Sequence, residues 1–286
     1  MFSVNDMFSS FWQVKIKSSD RQKTAFSIEG GGFWQFRVMA FGTCNSSATF
    51  ERLVEKALNG LTWKICLIYI DIIIFSKTFE EHLDRLDQVF SRIADAKLKL
   101  SPKKCSLLQK QVNFLGHTVS EDGIATDEEK IKAVKDWPVP RNVKQARSFI
   151  GLCSYYRRFV PKFAVIARPL HKLTERGQKF VWDDSCQSAF DMLKEALITS
   201  PILSYPQEEG MFVIDADASN DGMGAVLSQV QGGEEKVISY YSKTFSKPER
   251  RYCVTRRELL AVVSSIRKFH HYVCGRHFWS EVTMEH

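Results

Sequence analysis

The sequence contains no apolar run near the roughly 20 residues that a helix needs to cross a bilayer, which excludes a helical membrane span. Its opening, MFSVNDMFSS, has no basic stretch leading into an apolar core, so it does not read as a secretory signal. Met1 is expected to be the edge of a larger domain. There is no CxxC pair. The seven cysteines are odd in number and widely spaced. That argues against a zinc centre or a disulfide framework and for a reducing intracellular compartment, cytoplasmic or nuclear and not secreted. Internal repeats and low-complexity tracts are also missing. What is there is an ordinary globular composition, 44% hydrophobic and 26% charged. The 286 residues suffice for two domains, or three small ones, with real cores.

Acid is scarce in one segment. Between Lys130 and Lys179, thirteen Lys and Arg face two acids, Asp136 and Glu175. The whole chain carries +7, so the remainder is slightly acidic. Such a stripe is the footprint expected for a polyanion such as nucleic acid; the plainer reading is a solvated helix surface.

The run ICLIYIDIIIF, residues 65–75, is apolar or aromatic at ten of eleven positions, the exception being Asp71. β-Branched and aromatic types dominate, which predicts a buried strand or strand pair. A lone carboxylate there is costly without a cation or donors beside it. Asp71 either sits wet at a hairpin turn or holds a metal.

Around this run, strands are expected at 11–16, 23–26 and 35–38, with Gly30–Gly32 as a turn. Helices are expected near 46–58, 79–96, 127–136, 142–159 and 183–199. The second should bury Leu83, Leu86, Val89, Phe90 and Ile93. Residues 112–119 read as a strand. Prolines at 138 and 140 and the polar PQEEG, residues 206–210, mark boundaries. After 210 the pattern changes: a strand at 212–214, a turn or bulge at Gly222–Gly224, strands at 225–229 and 237–241, and one long helix at 255–273 with Leu259 in its apolar stripe. Strands followed by one long helix suggest a small α/β unit.

Two-metal phosphoryl transfer needs carboxylates converging from different strands, and Mg²⁺ prefers hard oxygen ligands. Asp6 and Asp71 lie 65 residues apart, each in or beside an apolar strand, so two neighbouring strands could bring them together. Asp217 and Glu258 could form a second cluster of this kind. The bland alternatives are a turn cap for Asp6, a strand end for Asp217 and a surface helix position for Glu258.

The strings FSVNDMFSSFWQVKI, FRVMAFGTCNSSATFERLV, CLIYIDIIIFSKTFEEHL, LKLSPKKC, VNFLGHTVSEDGI, RSFIGLCSYYRRFVPKFAVIARPLHKLT, DADASNDGMGAVLSQ and RRELLAVV follow one another in order. Over nearly its whole length the chain resembles the reverse transcriptase and RNase H region of the Pol polyprotein of gypsy-type LTR retrotransposons. The resemblance implies an α+β fold: a right-hand polymerase palm without complete fingers (1–126), a helical basic thumb and connection (127–205), and a C-terminally truncated RNase H-like α/β domain (206–286). By resemblance, Asp6 and Asp71 are the palm's metal-bridging acids, and Phe11 is the gate that favours deoxynucleotides. Phe41, Gly42 and Asn45 line the nucleotide and template pocket. Lys103 and Lys104 approach the triphosphate. Phe114, Leu115 and Gly116 grip the primer end. Lys144, Arg147, Arg157, Arg158 and Lys162 belong to the basic thumb that tracks the duplex. Asp217 and Glu258 are two of four RNase H acids. The implied cofactors are two Mg²⁺, with Mn²⁺ as an alternative. The implied partners are an RNA template, a DNA primer, the RNA/DNA hybrid and deoxynucleoside triphosphates, with no membrane.

Departures from the pattern set further expectations. Ile72 stands where the second hairpin acid belongs, removing a negative charge and placing an apolar residue at the mouth. Ala40 and Ser47 replace two usual prolines, and the glycine turn at Gly30–Gly32 is about one residue long. The fingers that precede Asp6 in the family are missing, Thr283 lies near the third RNase H acid, and the fourth would fall beyond His286. The reading is a polymerase with little or no activity of either kind. The rival is a non-catalytic nucleic-acid-binding relic of a mobile element; an unrelated metal-dependent nuclease leaves the palm strings unexplained. The polymerase reading requires Asp6 and Asp71 to meet at the mouth of one sheet.

Overall fold

The structure is a computed structural model and describes residues 1–282. The expectation for Thr283 therefore lies outside the described residues. The chain divides into two compact units: residues 1–115 with 119–121, and residues 116–118 with 122 onward.

In the first unit, β1 (Phe2–Asn5), β2 (Phe26–Ser27), β3 (Phe33–Trp34), α1 (Ser46–Ala57), β4 (Cys66–Tyr69), β5 (Asp71–Phe75), α2 (Phe79–Asp95), β6 (Ser106–Gln109) and β7 (Gln111–Phe114) follow in order. The four-stranded sheet runs β4-β5-β1-β6, with every neighbouring pair antiparallel. The apolar run around Asp71 is thus a hairpin, turned at Ile70 in the left-handed region (φ 63). Glu51 on α1 accepts the Ile70 N–H at 2.7 Å, which satisfies the amide that the turn leaves free. One face of the sheet buries Ile72 and Ile74 against Phe50, Val54 and Leu58 of the α1 region and Leu86, Val89 and Ile93 of α2.

Several local expectations fail for identifiable reasons. Residues 11–16 are not a strand: Ser9 turns left-handed (φ 45) and starts a 3-10 turn over Ser10–Gln13. The Gln13 side chain then ties that turn to the backbone of Phe8 and Lys99. A second 3-10 turn, Ser18–Thr24, takes most of the strand expected at 23–26; beyond the glycine turn Phe33–Trp34 pairs with Phe26–Ser27, and of the strand expected at 35–38 a single antiparallel bridge, Val38 to Lys15, remains. On α2, Leu83 is exposed and His82 is buried in its place, between the hydroxyls of Ser3 (2.7 Å) and Ser76 (2.8 Å). A ring with polar partners at both nitrogens outcompetes an aliphatic chain for that position. The strand expected at 112–119 is broken by Leu115 (φ 48) and Gly116 (φ 66) into β7 and β8 (His117–Ser120).

The second unit adds β9 (Gly123–Thr126), α3 (Glu128–Lys135), α4 (Val143–Tyr155), α5 (Phe163–Ile166), α6 (Arg168–Leu173) and α7 (Asp184–Ile198). The side chains of Asp127, Asn142 and Asp183 cap α3, α4 and α7 by accepting first-turn N–H groups. Phe149, Tyr156, Phe159, Phe163, Phe190 and Leu193 fill their core. Gly123 (φ +140) lets Leu203 bridge to Ile124 through two backbone hydrogen bonds; a Cβ there would sit 2.2 Å from the Leu203 carbonyl oxygen.

The unit ends in β10 (Phe212–Ala218), β11 (Gly222–Gln231), β12 (Glu234–Thr244), α8 (Val254–Val273) and β13 (Phe278–Val282). The sheet order is β12-β11-β10-β13, with β13 parallel to β10 and the other pairs antiparallel. Gly222–Gly224, expected as a turn or bulge, opens β11 as regular strand; without a Cβ at Gly222 the Lys243 carbonyl can approach. On α8, Glu258 is buried and Leu259 is 62% exposed, the reverse of the expected stripe. No helix among the described residues is long and apolar enough to cross a membrane.

Candidate active site

The register of β1 on β5 pairs Phe2 with Phe75 and Asn5 with Ile72. Continued by one residue, that register would set Asp6 opposite Asp71, and the Asp6 charge does act on the Asp71 carboxyl. Directly opposed residues hold their Cβ atoms about 4.5–5.5 Å apart. Because side chains alternate across a strand, both acids face away from the core that takes Ile72.

The electrostatics follow from the geometry. Burial raises the Asp71 carboxyl above the usual carboxylate range, the charge of Asp6 raises it further, and Lys104 opposes both. The Lys104 ammonium lies 3.7 Å from Asp6 Oδ2. Two hard carboxylates of like charge, held together with one partly exposed lysine, fit a divalent cation of the Mg²⁺ type.

Ile72 requires a correction. It is not at the mouth: it is fully buried on the opposite face, since the residue after an outward Asp71 must point inward. Its cross-strand partner Asn5 is also fully buried, and neither amide atom of Asn5 has a hydrogen-bond partner among the described residues.

The other expected residues spread over both units. Phe11 packs edge-on against Phe41 (5.5 Å) and Phe50 (6.2 Å), and Phe41 is 63% exposed. Gly42 takes φ 81, and Asn45 precedes α1 without a side-chain cap. Lys103 and Lys104 sit in a short 3-10 turn after Pro102. Phe114 ends β7, and Leu115–Gly116 is the turn that carries the chain into the second unit.

Four of the five expected thumb cations have internal contacts. Arg147 donates to the Thr174 carbonyl at 2.8 Å. Arg157 and Arg158 donate to the Ser242 and Ile238 carbonyls of β12 at 2.6 and 3.5 Å. Lys162 forms a 2.8 Å ion pair with Asp217. Its stem crosses the bare position of Gly224, which pairs with Asp217 in register. Lys144 is exposed on α4. Among the described residues no group of three or more His, Cys, Asp or Glu could hold a metal. Asp217, one of the two acids expected of an incomplete second centre, is held in an ion pair by Lys162.

Residues 1–119 match the family described as reverse transcriptase (RNA-dependent DNA polymerase), and residues 182–279 the RNase H-like domain found in reverse transcriptase. The chain belongs to the reverse transcriptase and RNase H-like domains of retrotransposon Pol polyproteins. It is 41% identical to the Retrovirus-related Pol polyprotein from transposon 297 of Drosophila melanogaster, over 97% of this chain and 26% of that protein. It is 36% identical to the corresponding polyprotein from transposon gypsy of the same organism, over 96% of this chain and 27% of that protein. The chain thus spans about a quarter of the length of these relatives. Among solved structures it matches the foamy viral protease-reverse transcriptase dRH in complex with double-stranded DNA, with a TM-score of 0.87 and 26% identity, over 100% of this chain and 50% of that one. The foamy viral protease-reverse transcriptase in complex with RNA/DNA hybrid gives a TM-score of 0.83 at 26% identity, over 100% of this chain and 39% of that one. The mixed α+β fold of a reverse transcriptase with an RNase H-like domain is therefore this chain's fold.

Glu51, which fastens the hairpin turn, and His82, which ties α2 to β1, were not anticipated from the sequence. For His82 the one local signal was Ser76, six residues back; Ser3 lies 79 residues away. Glu51 carried none.

Proposed function

We propose that the chain is the palm, thumb with connection, and RNase H-like part of an RNA-directed DNA polymerase, with Asp6 and Asp71 as its catalytic acids. The observation that supports this is the β1–β5 register, which pairs Asn5 with Ile72, together with the action of the Asp6 charge on the adjoining Asp71. Residues 1–126 are the palm, 127–205 the thumb and connection, and 206–286 the RNase H-like part.

In this reading Asp6 and Asp71 hold Mg²⁺, with Mn²⁺ as a substitute. Bound metal supplies charge stabilisation to the attacking and leaving oxygens of an in-line phosphoryl transfer. Phe11, braced by Phe41 and Phe50, walls the sugar side of a deoxynucleoside triphosphate, and Lys104 offers positive charge beside the acids. Leu115 and Gly116 hold the primer end. The nucleic-acid partners are an RNA template, a DNA primer and their hybrid, in keeping with the complexes solved for the foamy viral enzymes.

Activity is proposed to be low. Asp6 and Asp71 have no third acid grouped with them among the described residues, Ile72 being turned into the core, and Asp217 is engaged by Lys162, so no hydrolysis is assigned to the second centre. The same two observations favour a second reading, a nucleic-acid binder without turnover. Primer extension on an RNA template with Mg²⁺ or Mn²⁺ separates the two. Slow extension abolished by Asp71→Asn supports the first reading. Binding of hybrid with no extension supports the second. Robust extension overturns the low-activity proposal.

A further inference from the structure

The basic segment is only half of the cation set in the second unit. A cavity of about 1170 Å³ lies between α5 and α6 on one side and β12, the turn after it and α8 on the other. Eight Lys and Arg line it against one acid, Glu175. Arg168 and Lys172 come from the basic segment, whereas Lys243, Lys247, Arg250 and Lys268 come from the part that looked acidic by composition. Arg157 and Arg158 are spent on β12, Arg168 pairs with Asp221, and Lys243 pairs with Glu249. The ammonium groups of Lys172, Lys247 and Lys268 have no ion-pair partner among the described residues, and all three residues are exposed. Like charges crowded in a concavity focus a positive potential that a polyanion relieves.

The shape selects among polyanions. Proteins that read duplex grooves insert a convex helix or ribbon into them. Here the protein is concave, which suits a thin, flexible chain of phosphates. The cavity exceeds the usual range of about 300–1,000 Å³ for small-molecule pockets. Phe163 and Phe269 in its wall are each 1% exposed and offer no stacking face, and the half-buried Tyr240, Tyr241 and Tyr272 offer only the sequence-tolerant kind, so recognition rests on phosphates.

We propose that this cleft binds the phosphate backbone of a single nucleic-acid strand, without sequence preference, through Lys172, Lys247 and Lys268. The proposal rests on the nucleic-acid reading above but needs no polymerase activity. A free linear polyphosphate shares the chemistry, and the test includes it.

The experiment titrates the full chain with fluorescein-labelled oligo(dT), RNA/DNA hybrid and inorganic tripolyphosphate over a salt series. Wild type is compared with the triple variant Lys172→Glu, Lys247→Glu, Lys268→Glu and with the neutral triple Lys→Gln at the same positions. Thermal midpoints report folding; if the Glu variant unfolds, the Gln variant carries the test. The expected result is a loss of oligo(dT) affinity of about tenfold or more in the triple variant. The slope of log affinity against log salt should shrink by about 2, as for three lost single-strand contacts. Hybrid affinity should stay within about twofold of wild type. Displacement of oligo(dT) by tripolyphosphate supports the shared phosphate chemistry and adds the free anion as a ligand. Unchanged oligo(dT) affinity and slope in the folded variants overturns the proposal. An equal loss for hybrid and oligo(dT) also overturns it, since the lysines would then serve duplex. Loss of hybrid binding in wild type with oligo(dT) binding retained sinks the reverse transcriptase reading alone.

Discussion

Asn5→Leu is expected to stabilise the first unit. Asn5 is fully buried, it opposes the fully buried Ile72, and neither of its amide atoms is hydrogen-bonded among the described residues. An unsatisfied buried polar group costs about 1–3 kcal/mol. Leucine has a similar volume, and a swap of that kind costs under about 1.5 kcal/mol when it misfits. The net gain should lie between about zero and 3 kcal/mol, a rise in melting temperature of up to roughly 10 °C for the unit. Ile72→Asp should do the opposite. It removes a buried aliphatic side chain, worth about 2–5 kcal/mol, and buries a carboxylate. The Asn5 amide can return about 1.5–3 kcal/mol as a donor to that charge. The new carboxyl would titrate above its ordinary range, so the destabilisation grows as pH rises through that range and shrinks in acid. Calorimetry of the two single variants and the double variant measures all of this, and Asn5→Leu combined with Ile72→Asp should be worse than the sum. If Asn5→Leu lowers the midpoint, or if Ile72→Asp leaves it unchanged and speeds primer extension, then residue 72 faces the mouth and the reasoning from strand alternation fails.

The remaining predictions concern the acids and one turn. Asp71→Asn removes a carboxylate whose proton affinity is raised by burial and by Asp6, so it should raise the melting temperature in EDTA and abolish any stabilisation by Mg²⁺. In wild type, Mg²⁺ competes with that proton; isothermal titration should show affinity falling as pH drops into the raised Asp71 range, and a flat profile would refute the assignment. Lys162→Met and Asp217→Asn should each cost little, with a coupling of about 0.2–1 kcal/mol by double-mutant cycle that weakens in salt. Gly123→Ala should destabilise the second unit by more than about 1 kcal/mol and speed hydrogen exchange at the Ile124 and Leu203 amides, because φ +140 and the Leu203 carbonyl leave no room for a methyl.

The parts legible in the sequence were those set by local pattern. The hairpin at Asp71 was visible in its β-branched run, and the caps at Asp127, Asn142 and Asp183 in the residues that open each helix. The nearness of Asp6 and Asp71 was legible in their separation and flanking apolar strands as well as in the resemblance, and the charge of Asp6 acts on Asp71 in the structure. The orientation of Ile72 was derivable and was missed: an outward acid at 71 fixes an inward residue at 72. The work done by Arg157 and Arg158 was not legible, because the carbonyls that they reach lie 80 or more residues away on β12. Nothing local could show that Lys243, Lys247 and Lys268 share a cavity with the basic segment, since only the packing of α5 and α6 on β12 and α8 brings them there. Residues 11–16 have strand-like alternation, but one left-handed serine and the side chain of Gln13 override it.

The two arginines that reach β12 also bear on the exposed margin of its sheet. β12 is an outer strand of its sheet, and an outer strand offers free carbonyls on which another molecule can template a further strand. Guanidinium groups donating to Ser242 and Ile238 take up two of those acceptors. Ser204, whose N–H donates to the Val237 carbonyl, occupies a third, so a chain stripped of both arginines would leave this margin less guarded against a further strand.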